Sequence, residues 1–231
     1  MILDQMLSKR RFIKLSALSA FTGIIPSNAL AKTTNIFTNI IKNSGFENID
    51  GYHNIALGFD SMYSNERGTS NIAIGQSSAR VNADGSFNIG IGLQSMLSNL
   101  RGISNVFVGE KSGYNNTDGS YNFGIGYRSM INNQLGHGNY SIGNNSMYNN
   151  ESGISNLSIG NSSMYENKRG ISNIAIGEYS SYSNEDGSYN LAIGFNSMYN
   201  NTDGSSNIAI GNESMYQNTD GSNNVAMGYR A

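Results

Sequence analysis

The 231-residue sequence predicts an all-β fold, a parallel β-solenoid or β-roll of eleven seventeen-residue coils. Three observations carry that expectation. Glycine recurs at 58, 75, 92, 109, 126, 143, 160, 177, 194, 211 and 228, a spacing of seventeen without insertion. Asparagine keeps the same phase from Asn54, Asn71 and Asn88 to Asn224, and a second column runs from Asn65 to Asn218. Between the first Asn and the Gly of each unit stands an apolar-small-apolar triplet, such as Ile55-Ala56-Leu57, whose period of two marks a short strand.

The rest of the unit follows from that strand. In full it reads Asn, apolar, small, apolar, Gly, two variable residues, Ser-Met-Tyr, one variable residue, Asn, two more, then Gly-Ser and a last variable residue. A helix cannot run through so many Gly and Asn residues. Gly58, Gly75, Asn71, Asn88 and their equivalents are expected at the corners, because Gly and Asn enter left-handed backbone most cheaply. Coils stacked in register at about 4.8 Å make a rod of roughly 50 Å and turn the Asn columns into hydrogen-bonded ladders. An Asn-rich chain can also be a disordered, prion-like tract, but strict phase with fixed apolar positions argues against that.

The two apolar residues of each triplet are expected to fill the coil interior and the small one to face outward. Ala56, Ala73, Ala175, Ala192 and Ala209 are then candidates for a subunit interface, since a uniformly small column suits a face pressed against another layer. Copying of one ancestral unit is the alternative explanation of the uniformity. Phe107 is the exception in that column. About three or four inward side chains per coil make a slim core, so association into an oligomer is expected. The Met-Tyr pairs, among them Met62-Tyr63 and Met198-Tyr199, supply the remaining apolar bulk.

Residues 1–31 read as an export signal: Lys9, Arg10, Arg11 and Lys14, an apolar run from Leu15 to Ile25, and Ala29-Leu30-Ala31 as a small-x-small cleavage site. The stretch from Ser8 to Lys14 resembles a twin-arginine signal with Lys9 in the first arginine's place. Residues 32–43 then form a linker or cap, and residues 44–231 the solenoid. Removing the signal leaves ten basic and fifteen acidic residues, a net charge of −5, with no electrostatic footprint for nucleic acid or anionic lipid. The expected mature protein is secreted, extracellular or on a bacterial cell surface, and is not inserted in a membrane.

Asp50, Arg67, Asp84, Arg101 and Asp118 precede the second turn glycine in five successive coils, so opposite charges alternate up the stack. Exposed pairs contribute a few tenths of a kcal/mol each, and the alternation disfavours a one-coil slip. Asp186, Asp203 and Asp220 follow the same column without an arginine between them. They either tolerate screened repulsion or, with Glu185, hold a calcium ion. Catalytic chemistry is not expected and no cofactor is implied. His53 and His137 lie five coils apart, no cysteine exists, and the serines recur in every coil without a base singled out.

At Asn71-Ile72-Ala73-Ile74-Gly75 and its copies the sequence resembles the YadA-like head of trimeric autotransporter adhesins. That resemblance spans about residues 44 to 231. It implies a left-handed parallel β-roll, three chains in a homotrimer, and a surface that binds host matrix protein, cells or glycans. The unit here is longer than the one usual in that head, and no stretch resembles its stalk or membrane barrel. A second expectation comes from the residues themselves. The solenoid opens on a half coil at Ser44 and ends on the complementary half, so subunits stacked end to end would form an extracellular filament. A third and more distant alternative is a carbohydrate-active β-helix enzyme.

Overall fold

The computed structural model describes residues 36–37, 45 and 49–231; Ala29, Ala31, the rest of the expected signal and most of residues 32–43 lie outside the described residues. The described residues form fourteen strands and no helix. They are β1 (Ile36–Phe37), β2 (Ile55–Leu57), β3 (Ser64–Asn65), β4 (Ile72–Ile74), β5 (Val81–Asn82) and β6 (Ile89–Ile91). One three-residue strand per coil follows: β7 (Val106–Val108), β8 (Phe123–Ile125), β9 (Tyr140–Ile142), β10 (Leu157–Ile159), β11 (Ile174–Ile176), β12 (Leu191–Ile193), β13 (Ile208–Ile210) and β14 (Val225–Met227).

All but β3 and β5 join one twelve-stranded parallel sheet, each strand beside its neighbours along the chain. From β2 onward every residue pairs with the residue seventeen further on, Ile55 with Ile72, Ala56 with Ala73, and so on to Ile210 with Met227. At the start the step is nineteen, since Ile36 pairs with Ile55. A second wall is only lightly paired, by β3 with β5 and by single bridges such as Val81 to Ser98. The chain is thus a parallel β-solenoid of the seventeen-residue period.

The inside and outside of the strands are the reverse of the sequence expectation. The middle residue of each triplet points inward: Ala56, Ala73, Ala175, Ala192 and Ala209 have no exposed surface, and the flanking apolar residues face out. The reason is space. The Met and Ser of the opposite wall already occupy the interior. At Gly90, a middle position without a side chain, an added Cβ would lie 3.0 Å from Ser78 Oγ and 3.5 Å from Met96 Cβ. In every coil but that of Phe107 a small residue sits beneath that wall, and strand alternation then turns both large neighbours outward. Those alanines are buried within one chain and are therefore not a surface that a partner touches.

The core is a column of methionines, Met62, Met96, Met130, Met147, Met164 and Met198, all fully buried against the strand column. Two buried asparagine ladders flank it, as the sequence implies. Asn54 Oδ1 accepts from the backbone and side-chain amides of Asn71 at 2.9 and 3.1 Å, and Asn82 Nδ2 donates to Asn65 Oδ1 at 2.7 Å. The two ladders meet at one carbonyl, because Asn54 and Asn65 both donate to Gly68 O, at 2.8 and 2.9 Å. Buried amides satisfied in this way avoid the penalty of an orphaned polar group.

The corners differ from expectation in a second respect. Gly58 and Gly75 do take positive φ, +144° and +128°, whereas Asn71 and Asn88 do not. Left-handed backbone falls instead on three other positions per coil, filled in the first full coil by Asp60, Met62 and Ser70. Each non-glycine residue there costs about 1 kcal/mol. The neighbouring coils impose it: Met62 N donates to Ser78 O at 2.9 Å, Ser70 N to Tyr52 O at 3.0 Å and Ser77 N to Phe59 O at 2.8 Å. The asparagines are fixed by their side-chain amides rather than by their backbone.

Candidate interaction surfaces

Because each strand turns two apolar residues outward, the sheet presents two apolar columns along the coil axis. Ile91, Ile142, Ile159, Ile174, Ile176 and Ile208 are each exposed by more than a third. Isolated exposed hydrophobes are ordinary; here partly or well exposed apolar residues recur in register on eleven successive strands.

On the other wall, the residue after each core methionine turns outward, and the tyrosines there stack. Tyr148, Tyr165, Tyr182, Tyr199 and Tyr216 form a continuous column, with ring centroids 4.7, 5.0, 4.9 and 5.2 Å apart and planes within 15° of parallel. Tyr179 leans against Tyr182 and Tyr199, and with Phe195, Asn196, Tyr199 and Tyr216 it lines a shallow cleft of about 220 Å³. Burial first, and the charge of neighbouring phenols next, raises the pKa of Tyr165, Tyr182 and Tyr199 above the ordinary phenol value. The Met-Tyr pattern left Tyr182 out, because Ser181 replaces methionine in that coil. Seventeen-residue spacing of the ring alone is the signal that finds it.

The charged column resolves into forks between adjacent coils. Arg67 Nε is 2.7 Å from Asp84 Oδ1 and Arg101 Nη2 is 2.7 Å from Asp118 Oδ2, with a third fork between Arg169 and Asp186. Lys168 Nζ lies 2.8 Å from Glu185 Oε2. Of the four candidate calcium ligands, Glu185 and Asp186 are thus engaged by cations, and Asp220 Oδ1 accepts from Thr202 Oγ1 at 3.3 Å. Glu185, Asp186, Asp203 and Asp220 are not brought into one cluster, and no group of three or more His, Cys, Asp or Glu suited to a metal occurs among the described residues. His53 packs edge-on to Tyr52 at 5.0 Å, and His137 Nδ1 accepts from the Ser120 backbone at 3.1 Å. Both sit in local packing, five coils apart.

Among the described residues no helix is long and apolar enough to cross a membrane. Fold and surfaces together define a parallel β-solenoid repeat protein. Compared with family models, with curated proteins and with solved structures, the chain has no match.

Proposed function

We propose that this protein is an extracellular, adhesin-like structural element that works as a homotrimer. In this reading three β-rolls pack through their apolar sheet faces and present the opposite walls to a matrix protein, a cell surface or a glycan. The observation that carries it is the pair of outward apolar columns from β2 to β14, too long and too continuous for a face left in water. A slim one-chain core supports the same reading, since covering that stripe adds apolar burial that the coil interior lacks.

The test is the oligomeric mass of residues 32–231 by light scattering, with Ile142→Ser/Ile174→Ser/Ile176→Ser as the partner measurement. A mass of three chains that falls to one in the substituted protein is the expected result. A monomer at every concentration overturns the trimer. Sedimentation into long polymers transfers support to the filament.

A further inference from the structure

The five-ring column of Tyr148 to Tyr216 is more regular than its packing requires. Other coils at the same position carry Arg80, Leu97 or Ile131, so the solenoid tolerates unlike side chains there. In the last half of the molecule, by contrast, every coil carries a tyrosine, and each ring lies about one coil spacing from the next, nearly parallel to it. The column is half-buried and sits on the wall opposite the apolar stripe.

We propose that this column is a site of oxidative cross-linking, where a one-electron oxidant such as a peroxidase consuming hydrogen peroxide joins rings seventeen residues apart into dityrosine within one chain. Each of two adjacent phenols gives up one electron and its phenolic proton, becoming a phenoxyl radical. An ortho carbon of one ring then bonds to an ortho carbon of the next. The two ortho hydrogens pass through water to the oxygens, restoring both phenols. The two electrons and two protons released reduce one hydrogen peroxide to two waters, so the reaction balances.

The geometry favours this outcome in two ways. A radical formed on any ring of the column has another phenol about 5 Å away, whereas Tyr114 stands in the same column between Leu97 and Ile131. Coupling inside one chain also enjoys an effective concentration in the millimolar range, roughly a thousandfold above that of a second chain at micromolar protein. Each link ties two successive coils covalently, a staple for a chain without cysteine.

The experiment treats the mature protein with peroxidase and limiting peroxide, follows dityrosine fluorescence, and maps linked peptides by mass spectrometry at several protein concentrations. The expected links join 148 to 165, 165 to 182, 182 to 199 or 199 to 216, with a yield per chain that does not change on dilution. In Tyr182→Phe the ring stack is kept, the two central links vanish, and the outer two remain. Links that map instead to the exposed Tyr121, Tyr189 or Tyr229, or a yield that falls with dilution, would overturn the proposal. An unchanged link pattern in Tyr182→Phe would do the same.

Discussion

Phe107 and Gly113 occupy the same space from opposite walls of one coil. A Cβ on Gly113 would fall within the Phe107 ring, against Cγ and Cδ2 and 2.6 Å from Cδ1. Gly113 stands where most coils carry methionine, and Phe107 where most carry Ala, Gly or Ser, so the bulk has moved from one wall to the other. Gly113 has φ +60°, a conformation that methionine itself adopts at Met96 and Met130, so backbone strain is not the obstacle there. Phe107→Ala is expected to lose about 3–5 kcal/mol and Gly113→Met to misfold that coil, while the double variant recovers most of the loss. A double-mutant cycle in denaturant measures the coupling, and additive losses would show that the two residues do not share the space.

Two glycines separate the need for room from the need for conformation. A Cβ on Gly85 would strike Asn99 Nδ2 and stand 2.5 Å from Asn82 Oδ1, both members of a buried ladder. At Gly138, with φ +64°, the nearest atom is Ser155 Oγ at 3.7 Å, and serine, tyrosine, phenylalanine, histidine or asparagine fills that position in other coils. Gly85→Ala is expected to cost several kcal/mol, on the scale of overpacking plus broken buried hydrogen bonds, and Gly138→Ser no more than about 1 kcal/mol. Thermal unfolding of the two variants side by side gives the comparison.

The asparagine ladders give a pH-dependent test. Asn105 Nδ2 donates to Gly119 O at 2.8 Å, and its Oδ1 accepts from the backbone and side chain of Asn122 at 2.9 and 3.1 Å. Asn105→Ala leaves the Asn122 donors without that acceptor and should cost about 2–4 kcal/mol. Asn105→Asp keeps the acceptor but places a carboxylate in a fully buried site. Burial raises its folded pKa above the unfolded value of about 3.9. The variant should therefore be nearest to wild type below that value and lose stability as pH rises through the folded pKa. Chemical denaturation at acid and neutral pH checks the sign.

The period, the parallel register and the ladders were legible because the same residue type recurs at the same phase, and identical rungs admit few other stackings. The direction of the strand faces was not. Alternation says that Ala56 points away from Ile55 and Leu57, but not which side holds the core. That depends on Met62 and Ser61 arriving from the far wall, a contact between segments with no signature in the triplet itself. Left-handed backbone at Asp60, Met62 and Ser70 was hidden for a similar reason. It is imposed by hydrogen bonds from adjacent coils, and the residues there show no common preference for it. The charge forks were half visible: alternation pointed to them, and the structure joins Arg67 to Asp84 and Arg101 to Asp118 as separate pairs.

Ser181 interrupts the methionine column, and its buried hydroxyl has no hydrogen-bond partner among the described residues. Removing that orphaned group should stabilise the protein, by about 1 kcal/mol for Ser181→Ala. Ser181 shares its φ near +50° with Met164 and Met198 in the adjacent coils, so alanine, as at Ala79, meets no new backbone demand. Denaturant midpoints decide the matter; a destabilised Ser181→Ala would mean that the hydroxyl is engaged in solution.

The tyrosine column should also set the alkaline limit of the fold. Burial and neighbouring phenols raise the folded pKa of Tyr165, Tyr182 and Tyr199 above 10.0, the ordinary value that the unfolded chain provides. The protonated phenols are favoured in the folded state. Their contribution is therefore complete below about pH 10 and is lost as pH rises through the folded values. Melting temperature should fall steeply in that range. In the triple variant Tyr165→Phe/Tyr182→Phe/Tyr199→Phe the rings remain but the ionisations do not, so its alkaline decline should be shallower. Equal declines in the two proteins would place the alkaline transition in other groups.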